Sequence, residues 1–320
     1  MFALSYKSKQ YLLLALKIFI LLVTFGYIYL KITKNEQLNI IDFSSQINVT
    51  NFVVTIALFL LLATTNWFFE VLKWKTMISE IKEISFSTSL KQSLSSLTVS
   101  LATPNRIGEY GAKACFFKKE IRKQVLLKNF FHNSFQMAVT VLFGIVGFFI
   151  VFQKYKVEFS SKFDNYKLLF YVLLLGLLIG LGFVFRKNTI VFKGLTLSNI
   201  YTKFKQISFS TKWKVLLFSV IRYFVFCFLF WKLLLFFGVE ISIIQAFPLI
   251  FTMYLLVSIM PTIFIFDVVI RGGIAVWLFS FLGISELPIL STVFCMWILN
   301  FVFPSLIGSY YLLTYKPSYE

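Results

Sequence analysis

The chain has 320 residues, of which 59% are apolar and 14% are charged, whereas about a quarter of the residues of a soluble domain are charged. This composition excludes an ordinary soluble domain. The net charge of +18 is carried mostly between the apolar segments, which favours contact with anionic lipid heads and gives no basic groove for nucleic acid.

Six apolar runs have the length of roughly 18–25 residues that a helix needs to cross a bilayer. In chain order they are about Tyr11–Leu30, Phe52–Leu72, Phe130–Phe152, Leu168–Phe185, Val215–Phe237 and Leu290–Leu313. The first run is too long for the core of a secretory signal, and no small-x-small cleavage site follows it. We therefore interpret it as a retained transmembrane helix.

Two further stretches, Ser89–Phe117 and Ile243–Leu282, are each broken near the middle by Pro or Gly, with charged residues nearby. Each is long enough to enter the bilayer and return on the same side. We predict two re-entrant broken-helix hairpins beside about six full transmembrane helices. The predicted fold class is all-α, a polytopic helical bundle forming a single integral membrane domain over residues 1–320.

The distribution of basic residues predicts the orientation. The segments Arg106–Lys128 and Arg186–Lys214 hold seven basic residues each, so both are expected on the cytoplasmic side of the cell (inner) membrane, in contact with anionic lipid heads. With the N-terminus inside, the predicted crossings also leave the C-terminus in the cytoplasm.

The two halves of the chain share a pattern. Residues 52–152 and 215–313 both give helix, broken hairpin, helix, with opposite directions through the membrane. A Glu-Ile-Ser sequence begins at Glu83 and at Glu240, and a proline follows 21 residues later in each half, Pro104 and Pro261. Inverted repeats with broken helices in matching positions predict a binding site near the bilayer midplane. The alternative is two ordinary hairpins with accidental similarity.

The first break carries a dense group of residues with special chemistry: Pro104, Asn105, Arg106, Gly108, Glu109 and Gly111. Pro104 ends the incoming helix, and Asn105 can cap the outgoing one. Arg106 and Glu109, three residues apart, can pair on one helix face, while the glycines permit close approach of a backbone or ligand. A guanidinium beside a helix N-terminus favours a phosphate. The alternative is a surface turn with an exposed ion pair.

The second break contains Pro261, then Asp267 and Arg271, then Gly272 and Gly273. Asp267 and Arg271 are four residues apart and face the same way on a helix. Ionisable residues at membrane depth cost a few kcal/mol each unless they are paired or wetted, so they mark functional sites by default. The alternative is a buried ion pair that fixes the register of the helix.

Other polar residues have simpler interpretations. Glu70, with Lys73 at i+3, lies near the inner end of the second run, and Arg222 is expected to snorkel to the inner surface. The serines and threonines between Ser93 and Thr103 are expected to serve close helix packing.

No metal site, cofactor or catalytic group is expected. His132 is the only histidine, which excludes a multi-histidine zinc site, and we interpret it as a satisfied polar residue near a membrane boundary. Cys115, Cys227 and Cys295 form no CxxC pair and are expected to be apolar filler.

The segment Ala102–Glu109 resembles the Pro-x-Arg-x-Gly-Glu signature of the flippase-like transmembrane family related to lysylphosphatidylglycerol synthases. The segment Phe266–Gly272 resembles that family's second signature, an acidic residue, one further residue and then Gly-Val-Arg-Gly or Gly-Val-Arg-Glu, with Val269 where glycine is usual and Asp267 where glutamate is common. The resemblance implies paired re-entrant helices and movement of lipids between leaflets. It does not extend to the soluble aminoacyl-transfer domain of the synthases, for which we expect no room after Leu313.

We therefore expect a membrane protein that binds and translocates a phospholipid or lipid-linked headgroup. Arg106 and Arg271 would hold the phosphate, and Glu109 and Asp267 would position them. An ion-coupled transporter of a small solute, with the proton on Asp267 or Glu109, is one alternative. A membrane enzyme acting on a lipid-linked substrate is another, although we expect no enzymatic activity. The chain can also form a homo-oligomer.

Overall fold

The computed structural model describes residues 51–101, 103, 106–155, 190–192, 195–260 and 265–315. These residues belong to two compact units. The larger comprises the described parts of residues 1–151 and 214–320, and the smaller comprises those of residues 152–213. A single membrane domain over residues 1–320 stays a prediction.

The first half of the larger unit contains four α-helices: α1 (Phe52–Ile78), α2 (Phe86–Leu101), α3 (Gly108–Cys115) and α4 (Arg122–Lys154). Helix α1 has no glycine or proline in its 27 residues, so nothing interrupts its backbone hydrogen bonds. Ser85 marks the start of α2, because its Oγ accepts a hydrogen bond from the amide of Thr88 at 3.1 Å.

The smaller unit contains the only strands of the described residues. Strand β1 (Ile190–Phe192) pairs antiparallel with β2 (Leu195–Thr196), and α5 (Leu197–Gln206) follows directly. In α5 the apolar residues stand at positions 197, 200, 201 and 204, which is the spacing of one helix face, and Lys203 and Lys205 lie on its last turn.

The second half of the chain is again helical. Its elements are α6 (Phe209–Phe236), α7 (Ile243–Ile259), α8 (Ile265–Phe279), α9 (Glu286–Trp297), a π-helical segment (Ile298–Val302) and α10 (Phe303–Leu313). The last three run on as one helix. The π-helical turn within it was not predicted; such turns are rare and are frequent at functional sites.

Four helical segments of the described residues are long and apolar enough to cross a membrane: Phe52–Ile78, Lys119–Lys154, Phe209–Phe236 and Glu286–Leu313. They correspond to four of the six predicted runs, and much of their apolar surface is exposed. The helical membrane class is confirmed. The two remaining predicted helices, Tyr11–Leu30 and Leu168–Phe185, lie outside the described residues.

Both predicted hairpins are present as two helices separated by a break. Helix α2 ends at Leu101 and packs against α3, which begins at Gly108; α7 ends at Ile259 and packs against α8, which begins at Ile265. Along the chain, each pair follows one long apolar helix and precedes another, so the order of elements agrees in the two halves. Entry into the bilayer from one side and the inverted relation of the halves stay predictions.

The small polar residues of α2 hold it against its neighbours. Ser89 Oγ donates to the carbonyl oxygen of Val71 in α1 at 2.8 Å, and Thr98 Oγ1 donates to that of Ser305 in α10 at 2.9 Å. A Cβ on Gly308 would collide with the backbone of α2. The contact of Thr98 agrees with the packing role predicted for the residues between Ser93 and Thr103.

Candidate functional site

The first break has an unusual backbone. Arg106 lies in the left-handed region with φ of 58°, which non-glycine residues adopt rarely. The amide of Gly108, the first residue of α3, donates to Thr103 Oγ1 at 2.7 Å. Thr103 therefore satisfies a free amide at the start of α3, the role expected of Asn105. Pro104 and Asn105 lie outside the described residues.

The two glycines of this break differ in their surroundings. A Cβ built on Gly108 would lie 2.7 Å from Thr103 Oγ1 and 2.7 Å from the carbonyl oxygen of Val99, so only glycine fits there. A Cβ on Gly111 would meet no other atom of the described chain within 4 Å. Another part of the backbone therefore approaches Gly108 closely, whereas close approach of a ligand at Gly111 stays a prediction.

The Glu109 carboxylate is buried between two cations. Arg106 Nη2 lies 3.8 Å from Glu109 Oε2, and Lys113 Nζ lies 2.8 Å from Glu109 Oε1. Lys113 is itself buried, bonded to Asn129 Oδ1 at 2.9 Å and placed 4.4 Å from the ring centre of Trp74. The Arg106 side chain is 47% exposed, so it is the cation of this group that a ligand can reach.

The second break carries the predicted ion pair. Arg271 Nη2 donates to Asp267 Oδ2 at 2.8 Å, and the two side chains are only 12% and 18% exposed. Gly272 and Gly273 are buried within α8. Pro261 lies outside the described residues.

Phe301, on the π-helical turn, brings the two breaks together. The guanidinium carbons of Arg106 and Arg271 both lie 5.8 Å from the centre of its ring. Arg271 also lies 5.7 Å from the ring centre of Tyr254. Two arginines from opposite halves of the sequence thus lie within about 12 Å of each other, both in the range of a cation–π contact with one ring.

A second ionic group, which we call the Glu70 cluster, consists of Glu70, Lys73, His132 and Arg222. Glu70 Oε2 lies 3.0 Å from Lys73 Nζ and 2.7 Å from Arg222 Nη1. Glu70 Oε1 lies 3.5 Å from His132 Nε2. Arg222 therefore does not snorkel to the surface as expected, because an acceptor on α1 holds its guanidinium inside the bundle.

Amides extend the Glu70 cluster to the π-helical turn. Arg222 donates to Asn66 Oδ1 at 3.1 Å and to Gln136 Oε1 at 3.4 Å, and Asn66 Nδ2 donates to Asn300 Oδ1 at 2.8 Å. Asn300 directly precedes Phe301. The same turn therefore contacts both the arginines of the two breaks and the buried polar network.

Sequence reasoning did not place the Glu70 cluster in the site. The signal was present, since Glu70 and Arg222 are ionisable residues inside apolar runs, a pattern that marks functional positions. What the sequence could not show is that helices distant in the chain bring these side chains within 3 Å of each other.

One set of side chains has the spacing of a metal site. Ligand atoms of Glu70, Glu109 and His132, all buried, lie within 4.8 Å of one another. Each carboxylate is already paired with two cations, so a divalent cation would add to a local excess of positive charge. The charge balance does not fit a metal ion, and we assign no metal ligands.

The comparisons with known proteins give one match. The family model described as the transmembrane region of lysylphosphatidylglycerol synthase matches residues 12–308. No curated protein and no solved structure matches the chain.

Proposed function

The chain belongs to the family of the lysylphosphatidylglycerol synthase transmembrane region, and on that premise we propose that it binds the phosphate of a lipid headgroup and moves that headgroup between leaflets. The family relates the protein to lipid modification or transport in a multi-pass membrane setting. The site geometry supports a phosphate-bearing lipid as the ligand.

The observation that carries the proposal is the meeting of Arg106 and Arg271 at Phe301. Planar guanidinium groups bind phosphate oxygens through two parallel hydrogen bonds. A headgroup between the two breaks would engage one arginine from each half of the chain, while its acyl chains stay among the apolar helices.

The charges of the site support an anionic ligand. The two breaks and the Glu70 cluster together contain five cations and three carboxylates: Lys73, Arg106, Lys113, Arg222 and Arg271 against Glu70, Glu109 and Asp267. This leaves two positive charges in excess with a neutral imidazole. Uncompensated charge in a low-dielectric region is costly, so binding of a phosphate stabilises this arrangement.

The carboxylates would act as positioning groups. Glu109 holds Arg106 through a long 3.8 Å contact, whereas Asp267 holds Arg271 at 2.8 Å. Arg106 is the more exposed and the more loosely held, so it would make first contact with the headgroup and Arg271 would receive it deeper in the protein.

Leaflet exchange of a fluorescent phospholipid in proteoliposomes tests the proposal. We expect the double variant Arg106→Gln, Arg271→Gln to lose at least about tenfold in exchange rate, because charged hydrogen bonds of about 1.5–3 kcal/mol are removed. The matched control is Lys82→Gln, Lys154→Gln, which removes two exposed cations outside the site and outside the basic segments. Equal rates for the double variant and the wild type would refute the proposal.

The basic segments supply a second contact with lipid. Lys205 lies 4.8 Å from the ring centre of Tyr201 in the amphipathic helix α5. A basic amphipathic helix of this kind suits the surface of an anionic leaflet. We propose that α5 lies on the cytoplasmic face of the cell membrane, with both chain termini on the same side.

A further inference from the structure

His132 lies where α1, α3 and α4 meet, and both of its ring nitrogens face polar atoms. Its side chain is fully buried, with the ring edge-to-face against Trp74 at 5.7 Å. Nδ1 lies 3.1 Å from Asn133 Oδ1, and Nε2 lies 3.5 Å from Glu70 Oε1. The ring thus stands between an amide on its own helix and a carboxylate on α1.

The neighbours of the ring fix its tautomer. Asn133 Nδ2 lies 3.5 Å from Glu109 Oε1, and an ionised carboxylate only accepts, so the amide nitrogen must face Glu109. The amide oxygen then faces His132 Nδ1, which must carry the hydrogen. In a neutral imidazole this leaves a lone pair on Nε2, directed at another acceptor, Glu70 Oε1.

Two acceptors therefore face each other with no hydrogen between them. Nε2 is buried and makes no hydrogen bond within the described part of the chain. One added proton would turn this contact into a charge-assisted N–H···O hydrogen bond.

We propose that His132 Nε2 and Glu70 Oε1 form a proton-binding site, and that a proton bound there is coupled to phosphate binding at Arg106 and Arg271. The ligand of this site is the proton itself. The coupling half of the proposal rests on the proposed function, whereas the proton site does not.

The charged side chains that face the imidazole or its carboxylate partner are Glu70 and Lys73 from α1, Glu109 and Lys113 from α3, and Arg222 from α6. Lys73 and Arg222 both contact Oε2 of Glu70, which leaves Oε1 for the imidazole. The carboxylates favour the proton, whereas burial of the ring and the three cations oppose it.

The route from the imidazole to the phosphate site is short. Asn133 connects the ring to Glu109, and Glu109 holds Arg106 at 3.8 Å. An imidazolium at this position adds positive charge beside Glu109 and competes with Arg106 for it. Both effects favour a phosphate on Arg106, and by linkage a bound phosphate must favour the proton equally.

Nitrogen NMR of the intact chain in nanodiscs measures the protonation of the two ring nitrogens of His132 directly. His132 is the only histidine, so ¹⁵N-histidine labelling gives the signals of one imidazole. We expect hydrogen on Nδ1 alone at neutral pH and protonation of Nε2 in one step as the pH falls. Hydrogen on Nε2 instead of Nδ1 at neutral pH would overturn the assignment.

Variants identify the partner of the proton. Glu70→Gln should lower the proton affinity about tenfold or more, since a charge in contact with the ring is removed. The control is Glu286→Gln, which neutralises a different buried carboxylate, located in α9, and should leave the proton affinity unchanged. If Glu70→Gln fails to fold, Asn133→Leu replaces it. This variant removes the amide oxygen that fixes the hydrogen on Nδ1, so the hydrogen should no longer be restricted to that nitrogen. Equal titrations in the wild type and the folded variant would refute the site.

Nanodiscs of digalactosyldiacylglycerol, with and without phosphatidylglycerol, test the coupling. The anionic lipid should raise the proton affinity of His132 about tenfold in the wild type, a typical coupling strength. In Arg106→Gln, Arg271→Gln the rise should shrink to the effect of surface potential alone. An equal rise in both proteins would overturn the coupling. If His132 titrates as expected but the rate of lipid exchange is the same in the wild type and in Arg106→Gln, Arg271→Gln, the proposed function fails and the proton site stands.

Discussion

Single residues show how far spacing alone predicts contacts. Arg106 with Glu109, and Asp267 with Arg271, pair as their helical spacing indicates. Helical spacing also allows the pair of Glu109 with Lys113, four residues apart in α3, but it does not show that both arginines lie beside Phe301. Partners from another element lie beyond local reasoning.

Arg222→Met should destabilise the protein by about 3 kcal/mol, because it breaks a buried ion pair and leaves the Asn66 amide oxygen without its donor. Unfolding titrated with sodium dodecyl sulfate measures the change. Arg122→Met is the control, since that guanidinium bonds a backbone carbonyl at a helix start. Equal midpoints for the two variants would contradict the structural role of Arg222.

Phe301→Leu should weaken binding of a short-chain phosphatidylglycerol by a few fold, because it removes the π face that orders Arg106 and Arg271, worth about 0.5–2 kcal/mol. Isothermal titration calorimetry gives the affinity. Phe303→Leu changes an exposed ring two residues away and should have no effect. Unchanged affinity in Phe301→Leu would mean that the ring does not organise the site.

At the scale of elements, the positions of Pro and Gly predicted both breaks, and each hairpin forms two packed helices. The observed helix ends differ from the ends of the predicted apolar runs. A helix extends beyond its apolar run when side chains from other helices contact the polar residues at its end. Helix α1 runs on to Ile78, since Lys73 and Trp74 are buried against α3 and α4. The π-helical turn at Ile298–Val302 had no sequence signal.

Gly108→Ala should impair folding or function where Gly111→Ala does not. The added methyl on Gly108 would meet Thr103 and the backbone at 2.7 Å, whereas the methyl on Gly111 enters open space. Thermal unfolding followed by circular dichroism should show a lower Tm only for Gly108→Ala. If Gly111→Ala were the more harmful change, its site would hold a ligand or partner in solution.

At the scale of the whole molecule, the orientation rests on the distribution of Lys and Arg. Cys115 is exposed and lies within the basic segment Arg106–Lys128, while Glu240 is exposed on a turn with no basic residue. The two positions are expected on opposite sides of the membrane.

A membrane-impermeant maleimide should therefore label Cys115 only after intact cells are permeabilised. In a Cys115→Ser background, Glu240→Cys should be labelled before permeabilisation. The Cys115→Ser parent corrects for the partly exposed Cys295. Labelling of both positions from the same side would reverse the proposed orientation of one half of the chain.

The sequence by itself determined the membrane class, four of the helices that the structure describes, and both helix breaks. These features follow from apolar length and from the backbone limits of Pro and Gly, which act within one segment. Only the tertiary structure decided that Arg106 and Arg271 share Phe301, and that Glu70, His132 and Arg222 form one buried cluster. These contacts join helices far apart in the chain, and their geometry depends on how those helices pack, which no local pattern encodes.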